Sequence, residues 1–584
     1  MKFSLQLAAT ATLLASAHAS NLTTEAVARP PPPCRYLPSD PQWPNAAAWK
    51  SLNSSVGGRL VATVPIGTPC HDPKYNKAVC SQLQANWELP QTHYTTSSSV
   101  MQPFFANQSC DPFTPESRPC VLGNYISYAV NVSCDADVQA ALAFATKYNI
   151  RVVVRNTGHE LIAFLSLHSF FGRSTGAGAL GIWTHNLKSI SISTYKSAGY
   201  TGPSMKVGAG VQGFEMLEAA HSKGFVAVSG ECPTVGVAGG YTQGGGHSAL
   251  STSFGLGADQ TLEFEVVTAA GQILTASPSK NSDLYWALSG GGSGYGVVTS
   301  MTVKLHPDAT IGGAKIIIAA ATTTQDNFNK FVAGFHAMLP AMIDKGAMVI
   351  YLLTNTVFEL EPVTVYNSTS DYVQNVVLAD FNALLSELGI TPISTQYTTL
   401  SYYDHYNTYM GPLPNGNLDV GDFNYGSRLI PRSVLENNNN ALQAVLQNLT
   451  AHGVIMVGSS ANYAKPAGAA SNAVFPVWRT TTVHLQIGTV WNNTAPWSQM
   501  LADQKTITNE YVPQLTAVTP GSGAYMNEGD FQQPNFQQTF FGSNYNTLLS
   551  IKKKYDPNSL FYGLRLVGSE AWTVDNSGRM CRAK

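Results

Sequence analysis

Charge is scarce in this chain. Across 584 residues only 33 Lys and Arg face 35 Asp and Glu, for a formal net charge of −2, and no basic run is longer than Lys552-Lys553-Lys554. That balance gives no footing for nucleic acid or for an anionic membrane surface, and it leaves a small molecule as the expected partner. Long apolar runs are missing too: none after the first twenty residues approaches the ~18 consecutive apolar residues of a membrane-spanning helix. Cysteine nearly disappears beyond residue 134, where only Cys232 and Cys581 remain. No metal site is expected.

What is present first sets the compartment. Lys2, an apolar run from Leu5 to Ala17, and Ala17-His18-Ala19 before Ser20 read as a signal peptide over residues 1–19, so secretion is expected. N-x-Ser/Thr triplets at Asn21, Asn53, Asn107, Asn131, Asn367, Asn448 and Asn492 suit a secreted glycoprotein. In an oxidising compartment the crowded cysteines of the first 134 residues read as disulfides stapling a segment over 20–119. The close pairs Cys70/Cys80 and Cys110/Cys120 are the expected bridges, with Cys34 left for Cys134 and Cys581 as the structural alternative for Cys232.

From residue 136 the rhythm changes. DVQAALAFATKYN has helical spacing, RVVVRNTGHE is a β-branched run ending in a glycine turn, SMKVGAGV is a strand, GFEMLEAAHSKG a helix, and LEFEVVTAAGQILTAS a hairpin turning at Ala270-Gly271. After His306-Pro307, apolar strands (KIIIAAAT, AMVIYLLT, TTVHLQIGTV) and helices such as NNALQAVLQNLTAHG suggest a sheet covered by helices. Gly208-Ala209-Gly210-Val211-Gln212-Gly213 matches G-x-G-x-x-G between strand and helix, the pattern of a pyrophosphate-binding helix start. No parallel βαβ unit follows it, and the acid at the usual distance, Glu231, sits inside a glycine-dense stretch, so a nicotinamide cofactor is a poor reading.

Four stretches together carry a resemblance: VVVRNTGHE at 152–160, GECPTVGVAGGYTQGGGHS at 230–248, DLYWALSGGGSGYGVVTSMTVKLHP at 283–307 and YMNEGDFQQPNFQQTFFGSNYNTLLSIKKKYDP at 525–557. They are similar to the berberine-bridge-enzyme-like branch of the vanillyl-alcohol-oxidase flavoproteins, and GRSTGAGALGIWTHNLKSI resembles its secreted fungal members most. The resemblance implies an α+β fold: a two-lobed FAD-binding domain of the PCMH type over 120–305, an antiparallel-sheet substrate domain covered by helices over 306–525, and a C-terminal segment, 526–584, returning to the FAD domain. A monomer is expected.

In that family FAD is commonly attached twice, and the matching positions are His159 and Cys232; imidazole and thiolate are nucleophiles suited to an electron-poor ring. Backbone N–H groups of Arg155, Asn156, Thr157 and Gly158 and of the Ser174-Thr175-Gly176 turn are expected at the pyrophosphate. Gly236, Gly239, Gly240, Gly244, Gly245 and Gly246 are expected to let the chain pass close to the cofactor, with His247 beside them, Val298 near the adenine, and Asn544 and Tyr545 lining the flavin. Val235 matches a position read as an oxygen gate. The family motif Y-x-N-Y-x-D corresponds to Tyr525-Met526-Asn527-Glu528-Gly529-Asp530, so Glu528 takes the place of the usual tyrosine base. Strand alternation would put Glu528 and Asp530 on one face, with Tyr525 as the alternative base. The function implied is an oxidase with O2 as acceptor; an oxidative cyclase and a non-redox flavin-carrying cyclisation scaffold are the alternatives.

Overall fold

The computed structural model describes residues 33–159 and 171–583. The signal-peptide reading and the Asn21 triplet lie outside the described residues.

Three sheets organise the chain. The first has the order Leu60–Ala62, Tyr128–Asn131, Leu180–Trp183, Val152–Arg155. Its first pair is antiparallel and the other two are parallel. The helix Asp135–Lys147 leads into Val152–Arg155 and buries Val138, Ala141, Leu142 and Ala145, the apolar positions at helical spacing. The second sheet is antiparallel throughout: Ile190–Lys196, Thr201–Gly208, Val297–Lys304, Thr261–Val267, Ile273–Ala276. Its last two strands are the expected hairpin, and Gly271 supplies the positive φ of 75° at the turn.

The third sheet has seven antiparallel strands in the order Ser394–Leu400, Ile311–Ala319, Val357–Tyr366, Ala347–Leu353, Ile455–Ser460, Thr481–Val490, Phe423–Pro431. Alternation divides its faces. Val483, Leu485 and Ile487 join Val349, Tyr351 and Leu353 against a helix layer in which Phe328, Phe331, Phe335 and Leu339 of Gln325–Asp344 are buried. Burying each such aromatic contributes roughly 1.5–3 kcal/mol relative to leaving it in water. The opposite face carries Met348, Ile350, Leu429 and Val457 into a core shared with the second sheet and with residues 524–541. His484 and Gln486 pair with Leu429 and Ser427, so they belong to this second face and point toward the glycine-rich loops.

The chain ends are tied together. Cys34 is bonded to Cys581, and Arg35 N–H donates to the Met580 carbonyl, while Met580–Arg582 pairs with Trp572–Val574. Cys70–Cys80 and Cys110–Cys120 form as expected. The expected Cys34–Cys134 pairing is therefore corrected: the N-terminal stretch lies along the last strand, which hands Cys34 to Cys581. Cys134 stays free and exposed at the start of its helix, and Cys232 free and buried. Nearer the site, an isolated parallel bridge joins Phe561 to Val152, and the buried Lys552 ammonium donates to the carbonyls of Gly294 and Phe561, so the C-terminal segment closes onto the first sheet. Cys581→Ser is expected to remove hydrogen-exchange protection first from Trp572–Val574 and Met580–Arg582 and to lower stability to urea by about 2–4 kcal/mol, the usual contribution of a native disulfide.

Candidate active site

A cleft opens where the first sheet, the second sheet and the C-terminal segment meet. One rim begins at the end of Val152–Arg155. The chain turns through Asn156, Thr157 and Gly158 to His159; Gly158 has φ 70°, and a Cβ there would strike the Arg155 guanidinium at 2.2 Å. Asn156 fixes this turn by donating from Nδ2 to the Ala209 carbonyl and accepting the Trp183 indole N–H at its own carbonyl. The second rim is the run Val235–Gly244. A Cβ on Gly240 would meet only Asn527, at 4.0 Å, and so would stand in the cleft itself.

Behind that second rim lies the turn Cys232–Val235. Gly213 and Phe214, the first residues of the helix Gly213–His221, donate their N–H groups to the carbonyls of Val235 and Pro233, and Gln212 Nε2 donates to the Thr234 carbonyl. The helix start that G-x-G-x-x-G suggested for a pyrophosphate is thus spent on holding this turn. Cβ atoms on Gly208 and Gly210 would collide with the Leu187 and His185 carbonyls, so these glycines serve packing. The Thr234 hydroxyl lies 2.7 Å from His159 Nε2 and 3.3 Å from Cys232 Sγ. His159 Nδ1 is buried with no partner. Burial, then the nearby Arg155 guanidinium, holds His159 well below the usual histidine range and therefore neutral. Burial pushes the Cys232 thiol up, and hydrogen bonding from Thr234 opposes that shift.

Beyond Gly244 the chain passes Gly245 (φ 123°) and Gly246 (φ 73°) into a buried polar chamber whose side chains pack directly on one another. His247 Nδ1 lies 3.2 Å from Glu231 Oε1, and its Nε2 lies 3.0 and 3.1 Å from the two oxygens of Glu528. Gln486 Nε2 donates to Glu528 Oε2 at 3.2 Å. His484 Nδ1 is also 3.2 Å from that oxygen, but neither of its ring nitrogens makes a hydrogen bond. Burial pushes Glu528 up to about 7 against the opposing pull of His247. The two carboxylates hold His247 well above its usual range despite its burial, and burial keeps His484 well below. Tyr525 and Trp478 wall the chamber beside the two histidines. The Tyr525 hydroxyl accepts from the Gly246 N–H and from Asn527 Nδ2, and Asn527 lines the cleft, so one amide connects chamber and cleft.

The expected site residues divide accordingly. Asn156, Thr157, Gly158, His159, Ser174, Val235, Gly236, Gly239, Gly240, Gly244 and Val298 line the cleft. Arg155 does not: its buried guanidinium donates to the carbonyls of His93, Thr96 and Thr157 and shapes the turn from behind. Thr175 and Gly176 lie behind Ser174, where the Thr175 hydroxyl donates to the Asn124 carbonyl and a Gly176 Cβ would meet Arg151. Gly245, Gly246 and His247 face the chamber. Asn544 and Tyr545 are off the cleft: Asn544 Nδ2 donates to the Ala473 and Val474 carbonyls and the Tyr545 hydroxyl to Glu570. The bridge at Phe561 brings Phe561, Tyr562, Gly563 and Leu566 to that rim instead. Residues 525–528 form a turn closed by the Glu528 N–H on the Tyr525 carbonyl, not a strand, so face alternation fails. Glu528 reaches the chamber while the Asp530 carboxylate is held by Gln504 and the Gln532 N–H. Glu231, His484 and Gln486 were missed as site residues. His484 and Gln486 left a signal, two polar residues at alternate positions of the otherwise apolar strand TTVHLQIGTV.

Residues 126–277 match the family described as FAD binding domain, and residues 524–563 the family described as berberine and berberine like. The FAD-linked oxidoreductase ZEB1 of Gibberella zeae is 49% identical over 558 residues, 95% of this chain and 96% of its own. The bifunctional decalin synthase calF of Penicillium decumbens is 38% identical over 94% of this chain and 95% of its own. The crystal structure of the VAO-type flavoprotein MtVAO615 from Myceliophthora thermophila C1 superposes with a TM-score of 0.88 at 42% identity, covering 94% of this chain and 100% of that one. The cleft fits FAD: glycines keep its wall open where a Cβ would intrude, and an unpartnered imidazole nitrogen sits at its rim. Gly240→Leu is expected to leave the yield of folded chain within about twofold while lowering the flavin-to-protein absorbance ratio at least tenfold; an unchanged ratio would place the cofactor elsewhere.

Proposed function

Because the chain belongs to the berberine-bridge-enzyme-like FAD-linked oxidoreductases of the vanillyl-alcohol-oxidase type, we propose that it is a secreted oxidase of an alcohol, carbohydrate or secondary-metabolite intermediate, with FAD held through both His159 and Cys232. The observation that carries this reading is the convergence of both side chains on Thr234, buried just behind the cleft wall beside Val235. With His159 Nε2–H donating to the Thr234 hydroxyl, the lone pair of the neutral ring is left on Nδ1, the unpartnered nitrogen. Three disulfides among the described residues support the oxidising compartment.

FAD, when bound, supplies a hydride acceptor for the substrate carbon and delivers the electrons to O2 as H2O2. The chain supplies the rest. Glu528 accepts the proton of the substrate hydroxyl, and His247 and Gln486 hold its carboxylate in place from two sides. Tyr525 is a poor competitor for that role, since burial and the nearby Glu528 carboxylate push its phenol well above the ordinary range. Val235, beside Thr234 on the cleft wall, is small enough to leave oxygen a path. The kinship with a decalin synthase favours one second reading, an oxidative cyclase whose oxidised product closes a ring.

Anaerobic stopped flow with a panel of alcohols, sugars and polyketide intermediates tests the proposal. A working substrate is expected to bleach the flavin, and readmitted air to restore it with one H2O2 per turnover. Product cyclisation without bleaching would overturn the oxidase reading. Glu528→Gln is expected to slow bleaching by on the order of a hundredfold or more, the usual size of a base contribution, with reoxidation unchanged.

A further inference from the structure

The chamber holds more buried acid and imidazole than a proton acceptor needs. His247, His484 and Glu528 each present one ligand atom to a common point, all within 4.8 Å of one another and all buried. Glu528 lies between the two rings, 3.0 Å from His247 Nε2 and 3.2 Å from His484 Nδ1. An ion held at about 2.0–2.2 Å by two imidazoles and a carboxylate draws their ligand atoms to within roughly 4 Å of one another, so a small turn of one ring completes the set.

Independent features of the same chamber point to a ligand. His484 is fully enclosed, and both its ring nitrogens lack a hydrogen-bond partner; an ion at Nδ1 would give the nitrogen that faces Glu528 a partner. His247 is oriented from behind by Glu231, whose Oε1 faces its Nδ1 at 3.2 Å; a carboxylate on the far nitrogen of a ligating histidine is the usual second support of a metal site. Gln486 supports Glu528 in the same way. The two buried acids, Glu231 and Glu528, have only histidines as ion-pair partners among the described residues.

We propose that His247, His484 and Glu528 hold one divalent transition-metal ion of the zinc class, with a fourth position open to the substrate oxygen. Two imidazoles with a single carboxylate select such an ion over magnesium or calcium, which take oxygen ligands. The inference rests on reading the chamber as the place where substrate is oxidised, and it adds a Lewis acid there. Such an ion would polarise the hydroxyl without changing its own oxidation state, the O–H proton would pass to the oxygen of Glu528 that does not ligate, and FAD, when bound, would take the C–H hydride. The sequence hides the set because its members come from three distant segments, the glycine run, the strand Thr481–Val490 and the turn at 525–528.

The holoenzyme is to be purified, dialysed against metal-free buffer, and assayed for metal and flavin in the same samples. About one equivalent of zinc-class metal per chain is expected in the wild type, and less than a tenth of that in His484→Ala at unchanged flavin content. Independently of any variant, wild-type protein stripped with a chelator is expected to take up one Zn2+ in calorimetric titration with the ion alone and to recover substrate-driven flavin bleaching. No metal as purified and no Zn2+ uptake after stripping would overturn the site, as would equal uptake by His484→Ala. A flavin-loaded, substrate-reducible, metal-free enzyme would overturn only this inference; a metal-loaded protein whose flavin no substrate reduces would overturn the oxidase reading and leave the ion in place.

Discussion

The site depends on the hydroxyl of Thr234. It touches His159, which lines the cleft, and Cys232, which is buried in the turn behind the opposite rim. The turn that carries Thr234 is fixed from behind by the start of the helix Gly213–His221 and by Gln212, and the turn that carries His159 is fixed by Asn156 and by the buried Arg155. A shift of either support moves one side chain relative to the other, so the precision of the site is set by backbone carbonyls and helix N–H groups some distance from it.

Behind this arrangement the molecule separates two environments. The cleft is open and lined by small residues, as a large planar cofactor with a phosphate tail requires. The chamber is closed and holds two carboxylates and two imidazoles out of water, an expensive grouping unless each charge meets a partner. Asn527 stands between them, bonded to the Gly240 carbonyl on one side and to the Tyr525 hydroxyl on the other. The seven-stranded sheet makes this possible: one face is committed to the apolar helix layer, which frees the other to present His484 and Gln486 over the glycine run.

Much of this was legible in the sequence. The helix at 135–147, the strand before NTGH, the hairpin at 261–276 and the long apolar strands after 306 follow from periodicity, and the two disulfides of short span follow from spacing. The pairing Cys34–Cys581 was not legible, because it closes a loop of 547 residues and depends on where both chain ends finish. The glycine motif at 208–213 misled because a strand–glycine–helix junction looks the same whether its N–H groups hold a phosphate or a neighbouring turn. Alternation failed at 525–530 because a turn, not a strand, presents Glu528. Asn544 and Tyr545 are polar residues of the C-terminal motif, yet it is the backbone pairing of Phe561 with Val152 that decides which part of the C-terminus meets the cleft.

The central claim, that Thr234 holds two nucleophiles ready for one cofactor, is tested most directly by peptide mass spectrometry of the acid-denatured holoenzyme. One flavin-bearing species joining the peptides of His159 and Cys232 is expected from the wild type and from Thr234→Ser, and a shift toward singly attached flavin from Thr234→Val. Unmodified His159 and Cys232 peptides, with all the FAD released into the supernatant, would contradict the account.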